Sequence, residues 1–248
     1  MQADYNHFKE KQKWECTSAP VLPDGSTGNL HHDYFRRIPF GYLRRLLEKN
    51  DINLDGTKLH VASCGSGIDA AYLLKFSNPE IYVSDLSQEA LKSTLGLFPQ
   101  FQGQTEDNEQ LSFPDDFFDF SFVAASLHHL PRPVLGLYEL LRVSKRGVIV
   151  IEPNDSCLTR LAGKIGLAQE YEVHGNYVYR FSRRDVKKIA SSLLCDFKIT
   201  QCFAVHRIAK SRMEFFFLKI INKTLNTFCP SLGNYIIFAI LKPSPKQP

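Results

Sequence analysis

"HVASCGSGIDA", residues 60–70, is the stretch on which the reading of this chain turns. It begins as an apolar, strand-like segment, passes two glycines, Gly65 and Gly67, and runs straight into a helical pattern. A strand that ends in a glycine-rich turn and feeds a helix leaves unpaired N–H groups near a ligand, and glycine lets the backbone approach without a Cβ in the way. Such glycines also serve ordinary tight turns, so the loop alone decides little. Two of its positions are unusual for a nucleotide cradle: Val61 stands where an acidic residue often precedes such loops, and Ser63 where a glycine is common.

Outward from the loop the pattern alternates. "KLHVAS" reads as a strand, "GIDAAYLLKF" as a helix, "EIYVSD" as a strand and "SQEALKSTLGLF" as a helix with Ser87 at its N-cap. "DFSFVAAS" is a strand, "PVLGLYELLRVS" a helix from Pro133, and "RGVIVIEPN" a strand. Near-continuous apolar strands alternating with helices predict a parallel sheet covered on both faces. The strand after the loop ends in Asp85, where a carboxylate can accept hydrogen bonds from both hydroxyls of a ribose lying across the sheet edge. Loop plus acid fits either a nicotinamide dinucleotide or S-adenosylmethionine. A dinucleotide site would want a third glycine beneath the pyrophosphate, which Ala70 or Ala71 could only partly replace.

The next stretch, "EDNEQLSFPDDFFDFSFVAASLHHLPRP", separates these options when taken with "LHVASCGSGIDAAYL", "YVSDLSQEAL" and "LYELLRVSKRGVIVIEPN". Together, over residues 58–153 in order and in register, they closely resemble the class I S-adenosylmethionine-dependent methyltransferases, the broad type-11-like group that modifies small molecules. The resemblance implies a Rossmann-like α/β fold: a parallel sheet closed by an antiparallel C-terminal strand, with helices on both faces, a helical N-terminal cap and substrate-lid insertions. It implies S-adenosyl-L-methionine as cofactor, with Ser63, Cys64, Gly65, Ser66 and Gly67 under the methionine part, Asp85 as the ribose acid with Leu86 beside it, Asp107 and Asn108 at the adenine, and the small Ala124 and Ala125 leaving room for the sulfonium. It further implies that His128 or His129, of "SLHHLP", and Glu152 at the end of the next strand assist deprotonation of an acceptor hydroxyl. Val61 and Ser63 depart from the family pattern, and the Ser63 hydroxyl is expected to reach the amino or carboxylate group of the cofactor.

The remainder of the chain bounds the acceptor. Its 248 residues suit one domain, with a cap over 1–57, a cofactor-binding core over 58–153, and substrate-side segments and closing strands over 154–248. A net charge of +4 with dispersed Lys and Arg lacks the basic footprint of a nucleic-acid binder. Six cysteines without a CxxC pair predict free thiols, no metal site and a cytoplasmic protein, and no apolar run reaches membrane-spanning length. In the cap, residues 34–50 carry apolar positions at helical spacing, interrupted by Pro39. Past Glu152 a long Tyr- and Glu-rich excursion holds His174, a third candidate base, before a helix over "SRRDVKKIASSLL", a strand over "FKITQCFAVHRI", the aromatic helix "RMEFFFLKIINKTLNTF" and the strand "NYIIFAILKP". Phe215 to Phe217 read as a packed lid suited to an apolar small-molecule acceptor.

The leading expectation is O-methylation of a hydroxyl. Methylation of a carboxylate held by Arg132, His174 or Arg180, carbon methylation of a lipid- or quinone-like acceptor, and a non-catalytic cofactor-binding scaffold are the alternatives.

Overall fold

The computed structural model describes residues 22, 26–171, 175–205 and 211–243, so His174 and Cys16 lie outside the described residues. Helix α1 (Leu30–Lys49) starts at Asn29, whose side chain accepts from the N–H groups of His31 and His32. It runs through Pro39 without a break, which corrects the interruption expected there. Pro39 removes one N–H from the ladder, but buried residues on both sides of it, Phe35 before and Phe40, Leu43 and Leu47 after, hold the two halves on one apolar surface.

The alternation follows: β1 (Lys58–Ala62), α2 (Ile68–Leu73), β2 (Glu80–Asp85), α3 (Gln88–Leu97), β3 (Gln102–Thr105), β4 (Phe118–Ala124), α4 (Pro133–Arg142) and β5 (Ser144–Pro153). Then come α5 (Cys157–Lys164), α6 (Arg183–Ser192), β6 (Asp196–Cys202), α7 (Arg212–Phe228) and β7 (Tyr235–Leu241). Strand β6 is shorter than its sequence pattern, stopping at Cys202. Strand β3, "QGQT", has no counterpart in the sequence reading, because its polar side chains at the sheet edge carry no apolar alternation.

One seven-stranded sheet results, in the order β3-β2-β1-β4-β5-β7-β6. β7 alone runs antiparallel, pairing with β5 from Gly147–Leu241 to Pro153–Tyr235 and with β6 from Asp196–Leu241 to Cys202–Tyr235. Successive residues of β5 alternate between two cores: Ile149 and Ile151 join Phe122, Val61 and Leu43 on one face, while Val148 and Val150 join Phe181, Val186 and Leu137 on the other. Strand order reverses between β1 and β4, and the loops leaving their carboxyl ends flank the crevice where such sheets take ligands.

Candidate active site

The loop after β1 is held from three sides. Cys64 N–H donates to Ser84 O at 2.9 Å, Gly67 N–H donates to Cys64 O at 2.8 Å, and the Thr94 hydroxyl of α3 donates to Gly65 O at 2.7 Å. Gly65 has φ +51° and a Cβ there would meet nothing within 4 Å, so the backbone is open to a ligand. Gly67 is glycine for a different reason: at φ +76°, a Cβ would stand 2.7 Å from Thr94 Cγ2 and 3.0 Å from the Phe98 ring. Thr94 itself carries no sequence signal, since one threonine inside an amphipathic helix looks like any other.

Ser63 takes φ +48°, a left-handed conformation that costs a residue with a Cβ about 1–2 kcal/mol. The amide of Asn108 donates to its hydroxyl at 2.7 Å. Two residues expected at opposite ends of the cofactor thus bond to each other, and the serine that replaces the usual glycine is braced from the loop after β3. Asp107 accepts from Glu109 N–H at 2.9 Å, which closes the turn beside it.

Asp85, at the end of β2, is nearly buried. Oδ2 accepts from Gly65 N–H at 2.9 Å and Oδ1 from Ser87 N–H at 2.8 Å, so one carboxylate ties the cradle to the start of α3. Burial raises its pKa from the ordinary value, opposed by hydrogen bonds from the N–H groups of Ser87, Gly65 and Leu86.

Beyond β4, whose end places Ala124 and Ala125 beside the crevice, a single 3₁₀ turn (Leu127–His129) carries the paired histidines. Glu152 of β5 is fully buried beneath it. Its Oε1 accepts from Ser126 N–H at 2.8 Å and Leu127 N–H at 2.7 Å, and its Oε2 meets His128 Nδ1 at 2.7 Å. The carboxylate therefore holds the start of the 3₁₀ turn and His128 together, while the helix after β5 is capped by Ser156 in a capping box with Thr159. His129 lies half-buried with its ring centroid 4.1 Å from that of His128.

The cations considered for a carboxylate acceptor are engaged elsewhere. Arg132 donates its N–H, Nε and Nη2 to the buried carboxylate of Glu109 at 2.6, 3.1 and 2.9 Å, and Arg180 donates to Gln169 O. On the cap side Arg36 pairs with Asp69 in the first turn of α2, while Arg36 Nε and His32 Nδ1 are buried without a partner. Neither residue was singled out from sequence, where two polar residues at the start of a surface helix look ordinary. A groove of about 1020 Å³ lies among Phe120, Arg142, Arg146 and Leu241, at the opposite ends of the strands, away from these groups. No group of three or more potential metal ligands occurs among the described residues.

The residues present fit S-adenosylmethionine: an open glycine backbone at Gly65, a hydroxyl acceptor in Asp85, and small side chains at Ala124 and Ala125. Residues 60–151 match the methyltransferase domain family. Over 104 residues the chain is 35% identical to the ubiquinone/menaquinone biosynthesis C-methyltransferase UbiE of Rickettsia rickettsii (strain Sheila Smith), a match covering 38% of this chain and 42% of that protein. The chain thus spans less than half the length of the curated relatives it matches. Among solved structures, YcgJ from Bacillus subtilis superposes with a TM-score of 0.58 at 14% identity, covering 84% of this chain and 99% of that one. Magnesium protoporphyrin IX methyltransferase from Synechocystis PCC 6803, solved with bound S-adenosylhomocysteine, superposes with a TM-score of 0.57 at 16% identity, covering 97% and 99%. The loop, the acid after β2 and this strand order thus stand in one chain whose residues 60–151 match the methyltransferase domain family and whose fold is the Rossmann-like one of these solved structures.

Proposed function

We propose that the protein transfers a methyl group to a hydroxyl of a small, largely apolar acceptor, with His128 as proton acceptor. When bound, S-adenosylmethionine supplies an electrophilic methyl on a sulfonium. Ser63 to Gly67 would hold its methionine part and Asp85 its ribose, with Asp107, Asn108 and Leu86 at the adenosine side. The chain's own contribution is alignment and removal of the acceptor's proton.

The observation that carries this reading is the His128–Glu152 contact of 2.7 Å at the end of β5. A buried carboxylate at Nδ1 fixes that nitrogen as the one bearing hydrogen, makes Nε2 the basic nitrogen, and stabilises the imidazolium once the proton has arrived. The engagement of Arg132 with Glu109 and of Arg180 with Gln169 O favours a hydroxyl over a carboxylate acceptor. The dispersed charge argues against nucleic acid. Free Cys64, Cys157, Cys195, Cys202 and Cys229 support a reducing, cytoplasmic setting.

A second reading, methylation at a ring carbon of a quinone-like acceptor, is favoured by the likeness to the C-methyltransferase of Rickettsia rickettsii. It uses the same base, since an activated ring carbon also loses a proton.

The test is turnover of His128→Asn and His129→Asn on a panel of phenolic and quinol-like acceptors, with the product identified by NMR. His128→Asn is expected to lower kcat by about 10²-fold or more, and His129→Asn by less than about tenfold. An O-methyl product supports the first reading and a C-methyl product the second. Unchanged kcat in both variants would remove base catalysis from the account.

A further inference from the structure

Helix α7 buries little apolar surface: Leu218 packs with Phe35 of α1, and the other buried residue of the helix is Asn222. Its inward side carries amides: Asn222 accepts from Val205 N–H at 3.0 Å, and Asn226 accepts from Phe203 N–H at 2.7 Å and donates to Phe203 O at 2.8 Å. Phe215 completes the attachment, stacking on His31 of α1 with centroids 4.1 Å apart. Only Phe215 of the three consecutive phenylalanines is thus packed, and the lid expected from sequence is corrected at its neighbours: Phe216 is 59% and Phe217 54% exposed. With Met213, Ile220, Ile221 and Phe228 they form a stripe at helical spacing, all exposed. A 17-residue helix that turns more large apolar side chains outward than inward presents the kind of contiguous apolar patch that marks an interaction surface.

Beside this stripe runs a groove of about 630 Å³ between α1 and α7. Arg37, Arg45, Lys219 and Lys223 line it, and no acidic residue does among the described residues. On a helical projection Lys219 and Lys223 sit at one margin of the apolar stripe, so two cations border its middle turns. No helix among the described residues is long and apolar enough to cross a membrane.

We propose that α7 is a monotopic docking element for an anionic phospholipid bilayer: Met213, Phe216, Phe217 and Ile220 enter the boundary between headgroups and acyl chains, while Arg37, Arg45, Lys219 and Lys223 hold lipid phosphates. An apolar stripe flanked by cations is the chemistry of an interfacial helix, and the two attractions add. A second copy of the chain fits less well, because a two-fold contact along α7 would bring each cationic groove toward its own duplicate. The inference goes beyond the proposed reaction and does not depend on which atom is methylated.

Flotation of the full chain through a density gradient tests it, with vesicles of phosphatidylcholine alone and of phosphatidylcholine containing phosphatidylglycerol. The protein is expected to float with the anionic vesicles and to be partly released by salt. Phe216→Ser with Phe217→Ser should lower the bound-to-free ratio by about tenfold or more, and Lys219→Glu with Lys223→Glu should abolish the preference for phosphatidylglycerol. Both variants replace exposed side chains, and unchanged thermal melting identifies them as folded. Failure of the wild type to float with anionic vesicles would overturn the proposal, as would wild-type flotation of the folded double-serine variant. A concentration-dependent dimer that the same variant dissociates, without vesicle binding, would replace the bilayer with a second copy.

Discussion

Ser63 carries a conformational cost and a hydrogen bond that offsets it. Its left-handed φ would be relieved by glycine, while its bond from Asn108 would be lost in either glycine or alanine. Ser63→Gly is therefore expected to lie within about 1 kcal/mol of wild type, whereas Ser63→Ala, which keeps the strain and leaves the buried Asn108 amide without its acceptor, should lose about 1–3 kcal/mol in urea unfolding. Stability of Ser63→Ala equal to that of wild type would show that the brace contributes nothing. At Asp85 the carboxylate supports two backbone N–H groups before any ligand arrives. Asp85→Ala should reduce calorimetric binding of S-adenosylhomocysteine by at least about tenfold and also lower stability by about 1–3 kcal/mol, because Gly65 and Ser87 then keep unpaired donors. Loss of stability with binding intact would make Asp85 a structural residue of the loop and nothing more.

Among the elements, the seam between α2 and α3 is tightest at Gly67. Gly67→Ala places a methyl group 2.7 Å from Thr94 Cγ2 in a backbone conformation unfavourable to alanine, and should cost more than about 2 kcal/mol by thermal or urea unfolding. Gly65→Ala meets no atom and should cost only its φ penalty, about 1–2 kcal/mol, so the pair separates packing from conformation. The glycines were legible as a cradle because tight turns demand that residue type, and strands β1, β2, β4 and β5 because each carries a largely apolar run. β3 was not legible: Gly103 lets it pass close to Val83, where a Cβ would stand 2.3 Å from the backbone oxygen, but four mostly polar residues give no periodic signal. Nor was the direction of the site's side chains. Sequence placed His128 and Glu152 near one another, but that Glu152 is spent on two N–H groups and one imidazole depends on how β5 passes beneath the 3₁₀ turn. Asn108 and Ser63 are 45 positions apart, and nothing local announces their bond.

Across the whole molecule, one buried histidine couples the sheet to pH. His60, in β1, is wholly enclosed, with Nε2 2.7 Å from Ser84 Oγ, Nδ1 3.3 Å from Ser121 Oγ, and its ring stacked on Phe118 at 4.8 Å. Burial lowers its pKa from 6.5 to about 3. The unfolded chain therefore takes up a proton below pH 6.5 that the folded chain refuses until about pH 3, and stability falls as pH drops through that window and is insensitive to this group above it. The slope from this single site is at most about 1.4 kcal/mol per pH unit. His60→Gln should flatten the dependence of the urea midpoint between pH 6.5 and 5, and an unchanged slope would assign the acid sensitivity to other groups. The sheet order has its own consequence for how the molecule is made. β6 touches the sheet only through β7, and β5 meets its second neighbour only in β7, which begins at Tyr235. During synthesis from the amino terminus, β5 is thus an uncovered, strongly apolar edge and β6 a strand without a partner until β7 has left the ribosome. The cofactor half can assemble early, but the growing chain stays vulnerable to pairing with other chains until that strand slides between two that are already waiting.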